Sequence, residues 1–218
     1  MAGDRLQTTR TCAFVSVWIA LFLLGCYHGI NPAMGWLFAV ALGLQERKTA
    51  AVFRALIPIA VGHVLSVALI VGLALWAATV FPHALVHRVA GAVLLAFGAY
   101  RLIRLRHPRW VGMRVGFWGL LLWGFLMSSA HGAGLMLLPF VTAVPPGMSD
   151  MAARVPATAA IGWLMIGDHT LGYFFAMAFV AFVVYAYLGV SFLRTAWLNV
   201  DFVWTIALFI TGIVALLT

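Results

Sequence analysis

The chain has 218 residues, of which 65% are hydrophobic and only 8% are charged, whereas an average soluble domain has about 25% charged residues. This composition excludes a water-soluble globular protein, and we expect one polytopic membrane domain, residues 1–218, without a separate soluble domain. The formal net charge of +8 does not indicate nucleic-acid binding, because the basic residues cluster in short connections between apolar segments, where they set membrane orientation.

Six apolar segments follow one another along the chain and predict an all-α polytopic membrane protein with about six transmembrane helices. The segments cover roughly 12–44, 50–81, 86–103, 115–145, 156–191 and 199–218. One perpendicular span needs about 20 residues, and the first, fourth and fifth segments exceed that length without being long enough for two crossings. The excess length indicates that some of these helices are broken within the membrane.

The first segment contains a predicted helix break within residues 25–32, where Asn31-Pro32 follows His28 and Gly29. Proline has no amide hydrogen, and it disfavours helical geometry at the residue before it. We therefore predict that the helix ends near His28–Pro32 and that a half-helix or a tilted continuation follows.

The fourth segment repeats this arrangement within residues 128–134, where His131 lies beside Gly132 and close to Gly134. We predict a second break near His131–Gly134. Irregular backbone at membrane depth is tolerated only where it is packed in protein or lines a polar cavity. Ordinary kinked helices are the alternative, since glycine and proline are common in membrane spans. Because each predicted break coincides with a histidine, in both halves of the chain, we favour a functional site over ordinary kinks.

Each predicted break is followed, one segment later, by another histidine in an apolar run: His63 in the first half and His169 in the second. The two halves therefore compare as two three-helix repeats, about 12–106 and 114–218. An odd number of spans in each repeat places the repeats in opposite orientations in the membrane, which is a common plan among transporters.

Four histidines and two neighbouring polar residues form the predicted site. They are His28, Asn31, His63, His131, Asp168 and His169. Ionisable side chains at membrane depth are costly, so their presence indicates function. Imidazole is a common ligand of transition metals, and a nitrogen-rich set suits Ni, Co, Cu or Zn. A carboxylate at that depth needs a partner, which a histidine, a metal ion or a conducted proton would supply. Any one histidine alone could instead join two helices by a hydrogen bond to a carbonyl.

Three short motifs resemble a known family. The pattern G-x-x-H-G-x-x-P at residues 25–32, a basic connection, and G-H-x-x-S at residues 62–66 resemble the NicO-type nickel/cobalt permeases and their urease- and hydrogenase-accessory relatives in the LysE transporter superfamily. The A-H-G element at residues 130–132 resembles the matching element of the second half. The resemblance implies about six helices in two inverted units and movement of a divalent metal ion.

The same resemblance implies residue roles. It assigns His28 and His63 to the metal path and makes His131 and His169 their partners. Metal-moving members usually carry an Asp or His ligand just after the proline, whereas residues 33–35 here are Ala-Met-Gly. The identity of the ion, or of another cargo, therefore stays open.

We expect a permease for a transition-metal ion that uses the four histidines as a transit site. Two alternatives use the same residues. One is a membrane-embedded metalloenzyme, in which the histidines hold a catalytic metal and Asp168 or a bound water acts as the base. The other is a haem- or metal-binding subunit of a larger membrane complex.

The predicted surroundings are the lipid bilayer of a bacterial inner membrane, with no nucleic-acid partner. A homodimer or a larger membrane complex is an open alternative to a monomer. Lysine and arginine concentrate in the connections after the first, third and fifth segments, which places both termini outside the cytoplasm. Tryptophans such as Trp36, Trp76 and Trp118 are expected at the membrane interfaces.

Overall fold

The structure, a computed structural model, describes residues 2–103, 116–142, 155–188, 206, 209–213 and 216, and its regular elements in these ranges are all helical. Helix α1 spans Ala2–Ile30, a 3-10 turn spans Pro32–Met34, α2 spans Trp36–Glu46, α3 spans Thr49–Val80, α4 spans His83–Ile103, α5 spans Phe117–Ala130, α6 spans Ala133–Thr142, and α7 spans Val155–Val183 and continues as a π-helix over Val184–Leu188. The predicted all-α class is confirmed for this part of the chain. The basic connection at 104–115 and most of the sixth predicted helix lie outside the described residues.

Two helices are long and apolar enough to cross a membrane, Thr49–Ala77 within α3 and Ala160–Leu188 within α7 with its π-helical end. The pair Phe117–Ala130 and Ala133–Val141 is a third candidate span if it is counted as one helix bent by 56°. The remaining apolar helices in the described ranges are shorter: Val15–Ile30, Trp36–Glu46 and Arg88–Tyr100. These helices are compatible with the membrane protein that the composition predicts.

The first predicted helix break is present. Helix α1 ends at Ile30, and Asn31 adopts an extended conformation in which its side-chain Oδ1 accepts a hydrogen bond from the Ala33 amide at 3.0 Å. The 3-10 turn then ends at Gly35, whose φ of 112° lies in the left-handed region that favours glycine. Helix α2 starts at the next residue, Trp36.

The second predicted break is also present and depends on glycine. Helix α5 ends at Ala130, His131 and Gly132 form a turn, and α6 begins at Ala133. Gly132 has a φ of 69°, which a residue with a Cβ adopts only with strain. Pro139 lies further along, inside α6, so the bend follows from Gly132 and not from the proline.

Helices α1 and α7 cross with their backbones in contact. A Cβ atom at Gly25 or Gly29 would collide with the α7 backbone at His169 or Tyr173, and one at Gly172 would collide with the α1 backbone at Phe22. Small residues allow such close approach in membranes, where van der Waals packing drives helix association. The two helices therefore form one close-packed pair.

Helices α3 and α5 form a second close-packed pair of the same kind. A Cβ atom at Gly62 would collide with the Leu121 carbonyl of α5, and one at Gly124 would collide with the Ile59 carbonyl of α3. Each pair thus joins a helix of the first half of the chain to a helix of the second half.

The structure corrects the expectation for one tryptophan. Trp36 is only 2% exposed and donates its indole N–H to the Ile30 carbonyl at 3.0 Å, so it lies inside the protein and not at an interface. The reason is the first break, which leaves the Ile30 carbonyl without a helical partner and creates a need for a buried donor. Trp76 and Trp118, by contrast, are 63% and 77% exposed.

Candidate functional site

The four predicted histidines are all buried, with side-chain exposures of 0–1%. His28 lies in the last turn of α1, His63 lies within α3, His131 caps the C-terminus of α5, and His169 lies within α7. A buried histidine therefore lies at each of the two helix breaks, and another lies within each of the two long helices, α3 and α7.

Three of the four rings converge, and we call His28, His63 and His169 the histidine cluster. The ring centroids of His28 and His63 are 5.1 Å apart, those of His63 and His169 are 5.5 Å apart, and those of His28 and His169 are 5.9 Å apart. Three helices from both halves of the chain thus bring their imidazoles to one buried place. The glycines at the α1–α7 and α3–α5 contacts let these helices approach closely enough for the three rings to meet.

His63 is held on one edge. Its Nδ1 lies 2.5 Å from the hydroxyl oxygen of Ser128 on α5, while its Nε2 is buried and has no hydrogen-bond partner among the described residues. Neither ring nitrogen of His169 has a hydrogen-bond partner of normal geometry in the same part of the chain. Buried polar atoms usually have partners, so these nitrogens point to a ligand that would complete them.

His131 stands next to the cluster without entering its triangle of rings. It lies within electrostatic range of His28, and its Nδ1 is 2.8 Å from the Met127 carbonyl. A carbonyl oxygen only accepts, so Nδ1 carries the proton in this contact. In a neutral imidazole the lone pair is then on Nε2.

Tyr173 forms one wall of the cluster. Its ring stacks on that of His63 with centroids 3.9 Å apart and planes 7° apart, and it lies 5.7 Å from the ring of His28. Its hydroxyl donates to the Met34 carbonyl at 3.3 Å. Tyr173 therefore contacts both the histidine cluster and the first helix break.

The two polar residues predicted beside the histidines lie on α7 and at the first helix break. Asn31 is buried at the first break, where its Oδ1 caps the 3-10 turn and its Nδ2 has no hydrogen-bond partner among the described residues. Asp168 is partly exposed on the neighbouring face of α7, within electrostatic range of Cys26 on α1. The structure thus places Asn31 in the first break and Asp168 on α7 near Cys26 of α1.

The irregular backbone of the first break is satisfied by aromatic side chains. Trp36 donates to the Ile30 carbonyl at 3.0 Å, Trp123 of α5 donates to the Ala33 carbonyl at 3.0 Å, and Tyr173 reaches the Met34 carbonyl. A buried carbonyl left without a hydrogen-bond partner would cost about 1–3 kcal/mol. Buried donors from three helices thus make the break stable beside the cluster.

The ring separations and the ring orientations bear differently on metal binding. Two imidazoles on one tetrahedral ion, with metal–nitrogen bonds of about 2.0–2.1 Å, have centroids roughly 5 Å apart, close to the separations in the cluster. As the side chains stand, however, no group of three or more His, Cys, Asp or Glu in the described ranges is arranged to hold an ion. The rings would have to turn about their side-chain torsions to direct nitrogens at one point.

Comparisons of the chain with protein-family models, with curated proteins and with solved structures give no match. Functional inference therefore rests on the geometry of the site.

Sequence reasoning did not single out Tyr173, Ser128 or Trp123. For two of them, the spacing from a predicted histidine could have indicated a place in the site. Tyr173 follows His169 by one helical turn and so shares its face, and Ser128 precedes His131 by three residues within the motif of the second break. Trp123 had no such signal, because only the packing of α5 against the first break shows that its indole meets Ala33.

Proposed function

We propose that this protein is an integral membrane permease that moves a transition-metal ion, Ni, Co, Cu or Zn, through the histidine cluster. The convergence of His28, His63 and His169 from three helices is the observation that carries the proposal. Three buried imidazoles within 5.1–5.9 Å of one another are costly to assemble in a membrane protein unless they bind something.

The chemistry of the cluster favours a Lewis acid as the ligand. The buried Nε2 of His63 has no hydrogen-bond partner in the described ranges, and a neutral imidazole presents one lone pair that a metal ion can accept. His131 directs its Nδ1 at the Met127 carbonyl, so its neutral ring carries the lone pair on Nε2. Borderline transition-metal ions are the cations that prefer such ligands.

A transit site must also release its ion. Conduction requires binding that is strong enough to admit the ion and weak enough to let it leave. A few neutral imidazoles meet this requirement better than a closed cage of thiolates. The need for the rings to turn before they close on an ion adds to the ease of release.

We further propose six spans in two inverted three-helix repeats, with both termini outside the cytoplasm. The pairing of helices supports the two-repeat arrangement, because each close-packed pair joins a helix of the first half to a helix of the second half. Helix α1 ends in a break beside His28 and packs along α7, which carries His169 of the other half. Helix α5 ends in a break beside His131 and packs along α3, which carries His63 of the other half. The resemblance of the motifs to NicO-type permeases points to the same plan.

This pairing of helices from the two halves suggests which parts move during transport. Within each close-packed pair the contact is backbone against backbone at glycine, which leaves no room for sliding. Between the pairs the contact is made by side chains, with His63 of α3 against His169 and Tyr173 of α7. We propose that two rigid bodies move in an alternating-access cycle, one formed by α1 and α7 and the other by α3 and α5. The histidine cluster lies at the interface between them.

Metal flux into proteoliposomes tests the proposal. We expect uptake of Ni²⁺, Co²⁺ or Zn²⁺, followed with an entrapped fluorescent indicator, to be lost in His28→Ala and in His169→Ala. His107→Ala, which changes a histidine outside the four apolar positions, is the matched control and should retain flux. Unchanged uptake in both cluster variants would refute the permease.

The same preparation separates the alternatives. Metal that stays bound in stoichiometric amount through purification, without flux, would favour a metalloenzyme. A Soret absorption band would favour a haem-binding subunit.

A further inference from the structure

The side chain of Tyr173 contacts both the histidine cluster and the first helix break. It is fully buried, one helical turn after His169 on α7. Its ring faces His63 and its hydroxyl reaches Met34 in the 3-10 turn. The two contacts lie at opposite ends of one rigid side chain.

The ring of Tyr173 completes a clamp on His63. Ser128 holds the Nδ1 edge of the imidazole, and Tyr173 covers one face with the planes 7° apart. With the ring centroids only 3.9 Å apart, the Tyr173 ring blocks tilting of the imidazole toward that side. With one edge and one face fixed, the free Nε2 keeps a defined direction toward the cluster.

The hydroxyl of Tyr173 ties the same clamp to the broken backbone. The Met34 carbonyl belongs to a turn whose conformation depends on Asn31 and Gly35. The position of Tyr173 is itself fixed from the other side, because Gly25 and Gly29 of α1 press against the α7 backbone at His169 and Tyr173. A displacement of α7 relative to the break therefore moves the ring that holds His63.

We propose that Tyr173 is a positioning residue that couples the histidine cluster to the first helix break. Its ring keeps His63 as the fixed ligand of the cluster, and its hydroxyl makes the orientation of His63 depend on the conformation of residues 32–35. The assignment of a metal ion as the ligand rests on the proposed function, whereas the mechanical coupling does not.

Two substitutions separate the two ends of the side chain. Tyr173→Phe keeps the ring and removes the hydroxyl, and Tyr173→Met fills the space with a flexible apolar chain and removes the stack. Zn²⁺ affinity, measured by isothermal titration on the protein in lipid nanodiscs, should fall about 10–100-fold in Tyr173→Met, as for residues that orient metal-binding histidines. In Tyr173→Phe we expect the Zn²⁺ affinity to stay close to that of the wild type while transport turnover falls.

Hydrogen exchange reads the hydroxyl end without any metal. Amides of residues 33–38 should exchange faster in Tyr173→Phe, because the Met34 carbonyl loses its donor and the turn opens more often. Tyr187→Phe, on the same helix but 79% exposed, is the matched control and should leave that exchange unchanged. Equal exchange in wild type and Tyr173→Phe would overturn the coupling.

Proton NMR reads the ring end, also without metal. The ring protons of His63 should be shifted upfield by the stacked Tyr173 ring, should keep that shift in Tyr173→Phe and should lose it in Tyr173→Met. A shift that survives Tyr173→Met, or equal Zn²⁺ affinities for the Phe and Met variants, would overturn the clamp. If the wild type binds no metal but the NMR and exchange results hold, then the permease fails and the coupling stands. Should Tyr173→Met fail to fold, Tyr173→Phe alone still decides the coupling by exchange.

Discussion

Ser128 on α5 hydrogen-bonds Nδ1 of His63 on α3, so a residue of the second half of the chain orients a histidine of the first half. The contact is buried, and it leaves only Nε2 of His63 available to a ligand. Histidines that bind metal usually fix their second nitrogen in this way, because the contact sets the orientation of the ring and the basicity of the ligating nitrogen.

Ser128→Ala should therefore weaken metal binding without removing a ligand. We expect a loss of about 10–100-fold in Zn²⁺ or Ni²⁺ affinity, which is typical of residues that orient a ligating histidine. Isothermal titration on purified protein measures it.

Ser129→Ala is the matched control for that measurement. Ser129 lies one residue further along α5 and bonds Ser66 at 2.8 Å and the Phe125 carbonyl at 2.9 Å, with no histidine involved. Its loss should change stability by about 0.5–1.5 kcal/mol and leave affinity unchanged. Equal losses of affinity in the two alanine variants would contradict an orienting role for Ser128.

Trp123→Phe should destabilise the first helix break. The substitution keeps most of the apolar volume but removes the donor to the Ala33 carbonyl, which lies 3.0 Å from the indole nitrogen. A buried carbonyl without a partner costs about 1–3 kcal/mol. We expect a lower midpoint of thermal unfolding in detergent, whereas Trp118→Phe, at a site 77% exposed, should unfold like the wild type. If both variants unfold at the same temperature, the Trp123 contact does not stabilise the break.

The sequence was sufficient to locate the breaks and to indicate the three histidines whose rings converge. Asn31-Pro32 and His131-Gly132 are local signals, since proline and glycine determine backbone conformation whatever the rest of the chain does. The partners of each helix were not predictable in the same way. The contact of Ser128 with His63 depends on α5 lying along α3, and an apolar helix in a membrane carries no polar stripe that selects its neighbour.

The misplacement of Trp36 has the same origin. An exposed and a buried tryptophan look alike in an apolar sequence, and the interfacial preference of tryptophan is only an average tendency. What decides the position of Trp36 is the unpartnered Ile30 carbonyl at the break. A break predicted from sequence therefore also predicts a demand for buried donors, and the nearest tryptophan in the chain is the first candidate to meet it.

The close-packed glycines should tolerate no side chain. In Gly25→Ala and Gly62→Ala the new methyl group would collide with the backbone of the facing helix, and overpacking of this kind costs about 1–3 kcal/mol. Gly167→Ala meets nothing within 4 Å on α7 and should instead stabilise the helix by about 0.5–1 kcal/mol. Thermal unfolding of the three variants measures both signs. A wild-type midpoint for Gly25→Ala would mean that α1 and α7 are further apart than described.

Disulfide cross-links test whether the close-packed pairs are the moving bodies. In a background with Cys12→Ala and Cys26→Ala, Ser66→Cys with Ser129→Cys places a cross-link inside the α3–α5 pair, where the two hydroxyl oxygens are 2.8 Å apart. Phe53→Cys with Phe182→Cys is the second pair, between α3 and α7, where the native rings have centroids 6.4 Å apart. Loss of free thiols on oxidation checks that this pair closes and so joins the two bodies. Because only the second link opposes relative motion of the pairs, oxidation should stop metal flux in the Phe53/Phe182 variant and spare it in the Ser66/Ser129 variant. A reductant should restore flux in the former. Flux that stops in both variants, or in neither, would show that the protein does not open at the interface formed by His63, His169 and Tyr173.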